Sequence, residues 1–252
     1  MAKVAIITGS NGGIGRSLCK KFIDDDYKVI AIDKRFDKRF NISHSMIEVD
    51  LQKFIEDGST KKTLINKIKN LLPKKINKLV LINNAAVQIL NPLQKIKLVD
   101  LDKTFKINTF SSLFLIQELL GILAKYSANI VNISSIHAKQ SKKDFIAYAA
   151  SKAALESITK NISIELAQFG ISINCVSPAA IDTNMLKEGL SPKKLKELKS
   201  FHPTNSIGNP EELATFVKNI SEQDGNFLNG AVLNFDGAIS NLLNDPNQSS
   251  KK

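Results

Sequence analysis

Short runs of aliphatic and β-branched residues without polar alternation recur along this chain, separated by longer amphipathic stretches. Val4–Ile7, Val29–Ile32, Leu79–Ile82, Ile130–Ile133 and Ile171–Val176 are such runs, with a shorter one at 47–49. A strand that is apolar on both faces has to be covered on both faces, which suits a parallel sheet packed between helices. The intervening segments, near 14–25, 60–72, 100–124 and 146–169, carry a helical pattern. Repeated strand–helix–strand units of this kind predict an α/β, single-domain, doubly wound parallel sheet with helices on both faces. A helix opening near Pro210 and a last strand at 231–235 close a domain spanning 1–240. The Lys-rich, proline-broken segment at about 182–210 reads as an insertion over the sheet, and 241–252 as a flexible tail.

Composition removes several classes. The chain has 252 residues, 43% of them hydrophobic, which excludes disorder as its main state. Cys19 and Cys175 are too far apart for a disulfide scaffold or a zinc finger, and they point to a cytoplasmic protein. No uninterrupted apolar run approaches the roughly 18–20 residues of a membrane helix, and the N-terminus is too short for a signal peptide, so no membrane is expected. With 35 Lys and Arg against 24 Asp and Glu, the formal charge is +11. Lys61, Lys62, Lys67, Lys69, Lys74, Lys75 and Lys78 read as a solvated helix face. With no Trp and three Tyr there is no stacking platform, and nucleic acid is not an expected partner. The basic stretch Lys187–Lys199 lies in the insertion, where it would steer an anionic substrate or an acidic carrier protein to a cleft.

Directly after the first run stands Thr8-Gly9-Ser10-Asn11-Gly12-Gly13-Ile14-Gly15, with a helix opening behind it. Glycines let backbone N–H groups approach an anion, and a helix N-terminus adds unpaired donors and partial positive charge, so this turn is where a phosphate would sit. Asp33 ends the second run, 18 residues past Gly15. A carboxylate there accepts hydrogen bonds from an adenosine ribose and repels the 2′-phosphate of NADP, which argues for NAD. Gly12 offers no basic side chain to such a phosphate, whereas Lys34 and Arg35 could fold back towards one, so NADP stays possible.

Ser134 and Ser135 close the fifth run, and Tyr148 and Lys152 follow at a spacing that places them on one helix face. A neighbouring ammonium favours the phenolate and would lower the Tyr148 pKa. Ser135, at the C-terminal end of a parallel strand, would hydrogen-bond a substrate carbonyl oxygen. The bland alternative is a tight packing face, given the small residues around Tyr148. His137 suggests a serine hydrolase, but no Gly-x-Ser-x-Gly elbow is present. His44 and His202 lack neighbours at metal-ligand spacing, so no metal is expected.

Taken together, these residues resemble the short-chain dehydrogenase/reductase family over about 3–240. The resemblance rests on Thr8-Gly9 through Gly15, Asp50-Leu51, Asn83-Asn84-Ala85-Ala86, Asn108, Ser135, Tyr148, Lys152, Asn174 to Pro178 and Asp236-Gly237. It implies a Rossmann-like domain with a tetrad of Asn108, Ser135, Tyr148 and Lys152. In that tetrad Tyr148 moves the proton, Ser135 polarises the carbonyl, Lys152 binds the nicotinamide ribose and Asn108 holds a water. The cofactor positions it implies are Gly9, Asn11, Gly13, Ile14, Gly15, Asp33, Asp50, Leu51, Asn84, Ala85, Ala86, Tyr148, Lys152, Pro178, Ile181 and Thr183. Ala86 and Ala179 stand where the family usually has glycine, each adding a methyl group beside the cofactor. The implied activity is hydride transfer between NAD(H) and a secondary alcohol or ketone, in a homo-oligomer, dimer or tetramer, built on the two long helices. Two alternatives stay open: an NADPH-dependent 3-oxoacyl-[acyl-carrier-protein] reductase, and a non-catalytic dinucleotide sensor or scaffold.

Overall fold

Alternation of side chains along a strand explains the uninterrupted apolar runs. In the computed structural model, which describes residues 1–38, 40, 45–188, 190–223 and 225–243, Val4, Ile6, Ile30, Ile32, Leu79 and Leu81 point into one core layer. Their neighbours Ala5, Ile7, Val29, Ala31, Val80 and Ile82 point into a second layer on the other face. The strands are β1 (Ala2–Thr8), β2 (Tyr27–Asp33), β3 (Ser45–Glu48), β4 (Ile76–Asn83), β5 (Asn129–Ile133), β6 (Ser172–Pro178) and β7 (Val232–Phe235). They form one seven-stranded sheet in the order β3-β2-β1-β4-β5-β6-β7, with every pairing parallel. This is the doubly wound sheet expected from the pattern.

Helices α1 (Gly13–Asp24) and α9 (Pro210–Ser221) supply Leu18, Phe22, Leu213 and Val217 to the second layer. The first layer takes Phe54 from α2 (Leu51–Glu56), Leu64 and Ile68 from α3 (Gly58–Leu71), and Leu115 and Leu119 from α5 (Ser111–Lys125). Their ends follow capping chemistry: Asp57 accepts the N–H groups of Ser59 and Thr60 at the start of α3, and Asn209 caps α9 ahead of Pro210.

The structure revises several expectations. The short α2 was not foreseen. The single helix expected at 100–124 is α4 (Leu98–Phe105), a π turn at Lys106–Phe110 and α5, run together. This continuous stretch has an 18-residue window of mean hydropathy 1.5, enough to cross a membrane by length and composition, which a search for unbroken apolar runs passed over. The core accounts for much of that hydropathy, since Leu115, Ile116, Leu119 and Leu123 are all buried in it. Lys61 is not a solvated lysine: it pairs with Glu118 at 3.5 Å and lies over the Phe114 ring. After β6 the broken segment contains two helices, α7 (Asn184–Lys187) and α8 (Pro192–Phe201). His44 and residues 244–252 of the expected tail lie outside the described residues.

Candidate active site

All seven strands end on the same edge, and the order reverses between β1 and β4. Connections leaving those two strands diverge to opposite faces, which opens a crevice at the carboxyl ends where open α/β sheets collect ligands. The first loop at that edge leaves no room for side chains. Gly9 has φ +63°, and a Cβ there would lie 2.7 Å from Ala85 Cα; a Cβ on Gly15 would run into the Gly9 carbonyl oxygen. Gly12 stands at the N-cap of α1, where no side chain takes the first-turn N–H groups. Those donors face the loop.

The loop is fastened to β4 by a clamp that sequence reasoning missed. Thr8 Oγ1 accepts the N–H groups of Asn84 at 3.0 Å and Ala85 at 3.1 Å. Asn84 Nδ2 returns hydrogen bonds to the carbonyls of Thr8 and Gly9. Ala86 follows directly, and Ile14 and Leu51 pack their side chains against the two core layers.

At the end of β2, Asp33 Oδ2 accepts the Asn11 N–H at 2.8 Å and Oδ1 accepts the Lys34 N–H at 2.7 Å. Lys34 does not turn back to this carboxylate; its Nζ lies 2.8 Å from Asp50 Oδ2. Burial works to raise the Asp50 carboxyl, but the Lys34 ammonium and the Gln52 N–H outweigh it and hold the group below its ordinary value. Arg16, also missed in the sequence, donates from Nε to the Asn11 carbonyl at 2.9 Å and pairs with Asp37.

The second half of the crevice comes from β5, β6 and α6 (Ile146–Ala167). Ser135 follows β5, and its hydroxyl is near enough to pull the Tyr148 phenol pKa down. Lys152, one turn along α6, is 2% exposed; its Nζ donates to the Ile133 carbonyl at 2.7 Å and lies 5.9 Å from the Tyr148 ring centre. Burial pushes the Lys152 ammonium down to about 8. The expectation that Lys152 depresses the Tyr148 pKa needs correction. Burial dominates and raises the phenol above its ordinary value, and the opposing pull comes from the Ser135 hydrogen bond.

Asn108 sits in the π turn, a local rearrangement that recurs at functional sites. Both amide hydrogens are used, one on the Val87 carbonyl at 2.9 Å and one on Ser151 Oγ at 3.0 Å, while Oδ1 accepts the Val87 N–H. Its side chain therefore ties the β4 loop to α6. His137 gives Ser135 its backbone N–H while its ring bonds the Gln140 carbonyl, which leaves no hydrolase-like serine–imidazole pair.

Pro178 ends β6, Ile181 is buried beside Gly208, and Thr183 caps α7 while standing where a Cβ on Gly13 would meet it at 2.7 Å. Among the described residues, no cluster of three or more His, Cys, Asp or Glu is placed to hold a metal ion.

Comparison with known proteins gives the family of the chain. The family described as short chain dehydrogenase matches residues 3–194, so the chain belongs to the short-chain dehydrogenase/reductase family and is an oxidoreductase of that class. It is 30% identical over 240 residues to the 3-oxoacyl-[acyl-carrier-protein] reductase FabG of Buchnera aphidicola from Acyrthosiphon pisum, covering 94% of this chain and 97% of that protein. It is 29% identical to the NAD-dependent glycerol dehydrogenase of Listeria innocua, covering 94% of each. Among solved structures it is similar to ElxO with NADP bound, at TM-score 0.83 and 30% identity over 96% of this chain and all of that one (100%).

Proposed function

We propose that the protein transfers a hydride between NAD(H) and a secondary alcohol or ketone, with Tyr148 as the acid/base. The reading is carried by Tyr148 standing one helical turn before buried Lys152 and under the pull of the Ser135 hydroxyl, on the same sheet edge as the glycine loop. The loop fits a dinucleotide pyrophosphate because Gly9 and Gly15, with no room for a Cβ, let it fold tightly ahead of the α1 N-terminus, whose first-turn donors no side chain takes. A bound nicotinamide supplies or accepts the hydride. Asp33 would take the adenosine ribose hydroxyls and disfavour a 2′-phosphate, and the attraction of Lys34 to Asp50 supports that preference.

In reduction the Tyr148 hydroxyl gives its proton to the carbonyl oxygen, and in oxidation the phenolate takes it back. Ser135 hydrogen-bonds the same oxygen, and Lys152, one turn along α6, would hold the nicotinamide ribose. Asn108 holds the Val87 loop and Ser151 in register. Two buried free thiols, Cys19 and Cys175, support a cytoplasmic location, and Ile164, 78% exposed on α6, supports self-association through that helix. The test is turnover of NAD with a panel of secondary alcohols, and of NADH with the matching ketones. Tyr148→Phe is expected to lose about a thousandfold in kcat/KM on any substrate found. Near-full turnover in that variant overturns the acid/base assignment, and dinucleotide binding without turnover across the panel favours the sensor reading.

A second reading has its own observation. The segment after β6 carries Lys193, Lys194, Lys196 and Lys199 on the one short helix α8, a charge pattern suited to an acidic carrier or another anionic acyl group. NADPH-dependent reduction of a 3-oxoacyl thioester, faster on the carrier-bound than on the free thioester and weakened by salt, would replace the first reading.

A further inference from the structure

Glu156 lies one helical turn beyond Lys152 on α6 and is 5% exposed, which is unusual for a carboxylate without an ion pair. Among the described residues no cation stands within 4 Å of it, and the Ser177 hydroxyl on β6 donates to its Oε1 at 2.5 Å. Cys175, two residues before Ser177, is on the same face of that strand. We propose that Glu156 is a positioning residue that keeps Lys152 in its ammonium form. The inference rests on the proposed function, since the charge of Lys152 matters to the reaction only if Tyr148 and Lys152 form its centre.

The surrounding groups leave Glu156 as the one effective anion. Two groups bear electrostatically on Lys152, Cys175 and Glu156, and each favours the ammonium against desolvation only in its own charged form. Burial, reinforced by Glu156, pushes the Cys175 thiol up to about 12, so it is neutral at physiological pH. On α4, which also packs against α6, Asp100 is bonded to Asn91, and Asp102 is paired with Lys106. The Ile133 carbonyl and Ser134, from β5 and its end, offer Lys152 and its backbone dipoles but no charge. His137 faces the Tyr148 ring, 6.3 Å between centres, and burial lowers its pKa, so it too is neutral. Ser177 fixes the carboxylate on the inner side of the helix, and removing that charge removes what balances the burial of Lys152.

The test reads Lys152 directly and needs no substrate: the lysine 13Cε chemical shifts of the full-length protein are followed against pH, with Lys152 assigned by its absence in Lys152→Ala. Glu156→Gln is expected to lower the Lys152 midpoint by about one pH unit, while Glu156→Asp, which keeps the charge, moves it by less than half as much. Glu156→Met, which fills similar volume without charge, is expected to give the same shift if the amide variant does not fold. An unmoved midpoint in the neutral variant overturns the proposal. A moved midpoint in a protein whose Tyr148→Phe variant keeps full turnover leaves the role of Glu156 standing and removes the proposed function instead.

Discussion

The two sides of the strand-end crevice are built on opposite principles. On the β1–β4 side, uncharged groups meet at backbone distance: glycines without room for a Cβ, a threonine hydroxyl accepting two N–H groups, and an asparagine donating to two carbonyls. On the β5–β6 side, Lys152, Glu156 and Cys175 are all buried, and Tyr148 is partly so. The first side is stable because its polar groups are satisfied. On the second, desolvation works against the charged forms of Tyr148, Lys152 and Cys175, a cost a structural core would avoid. The contrast separates a rigid seat for a ligand from a centre whose protonation states are tuned by burial.

Substitutions should break the two sides in opposite directions. Gly15→Ala drives a methyl group into the Gly9 carbonyl and is expected to cost about 3 kcal/mol of stability, read by denaturant unfolding, with loss of dinucleotide binding. Lys152→Met should do the reverse. The folded value of about 8 lies below the ordinary 10.5, so the unfolded chain binds more protons between those pH values and stability rises with pH through that window. Below pH 8 the full penalty is present. Lys152→Met is therefore expected to gain on the order of 2 kcal/mol at pH 7, a gain that disappears as pH approaches 10.5, while turnover is lost. Thr8→Val leaves the Asn84 and Ala85 N–H groups without their acceptor and should cost about 1.5 kcal/mol by the same unfolding measurement, with Tyr148 chemistry least affected. If Lys152→Met is destabilising at pH 7, the contrast between the two sides fails.

What the sequence revealed follows the same division. The strands were legible because each is apolar on both faces, and Ser135, Tyr148 and Lys152 were legible because a strand end and one helix turn bring them together by local geometry. The six-residue α2 was not legible, since Leu51 and Phe54 alone set its buried side. The π turn at Asn108 left no periodic signal either. The Thr8 clamp joins residues 76 and 77 positions apart, and the Glu156–Ser177 bond joins a helix to a strand, so neither has a local signature. The sign of the Tyr148 shift was misjudged for a related reason. The sequence shows that a lysine is near, but only packing shows how deeply both groups are buried.

The most direct test of the account is a fluorescence titration of the purified protein with NADH and, in parallel, NADPH, repeated on Asp33→Asn. Asp33 at the end of β2, with Lys34 drawn away to Asp50, predicts NADH binding at least about tenfold tighter than NADPH, and a discrimination that collapses in the variant. Tighter binding of NADPH by the unaltered protein would contradict the assignment of Asp33 and favour the thioester reading, and binding of neither would contradict the dinucleotide seat itself.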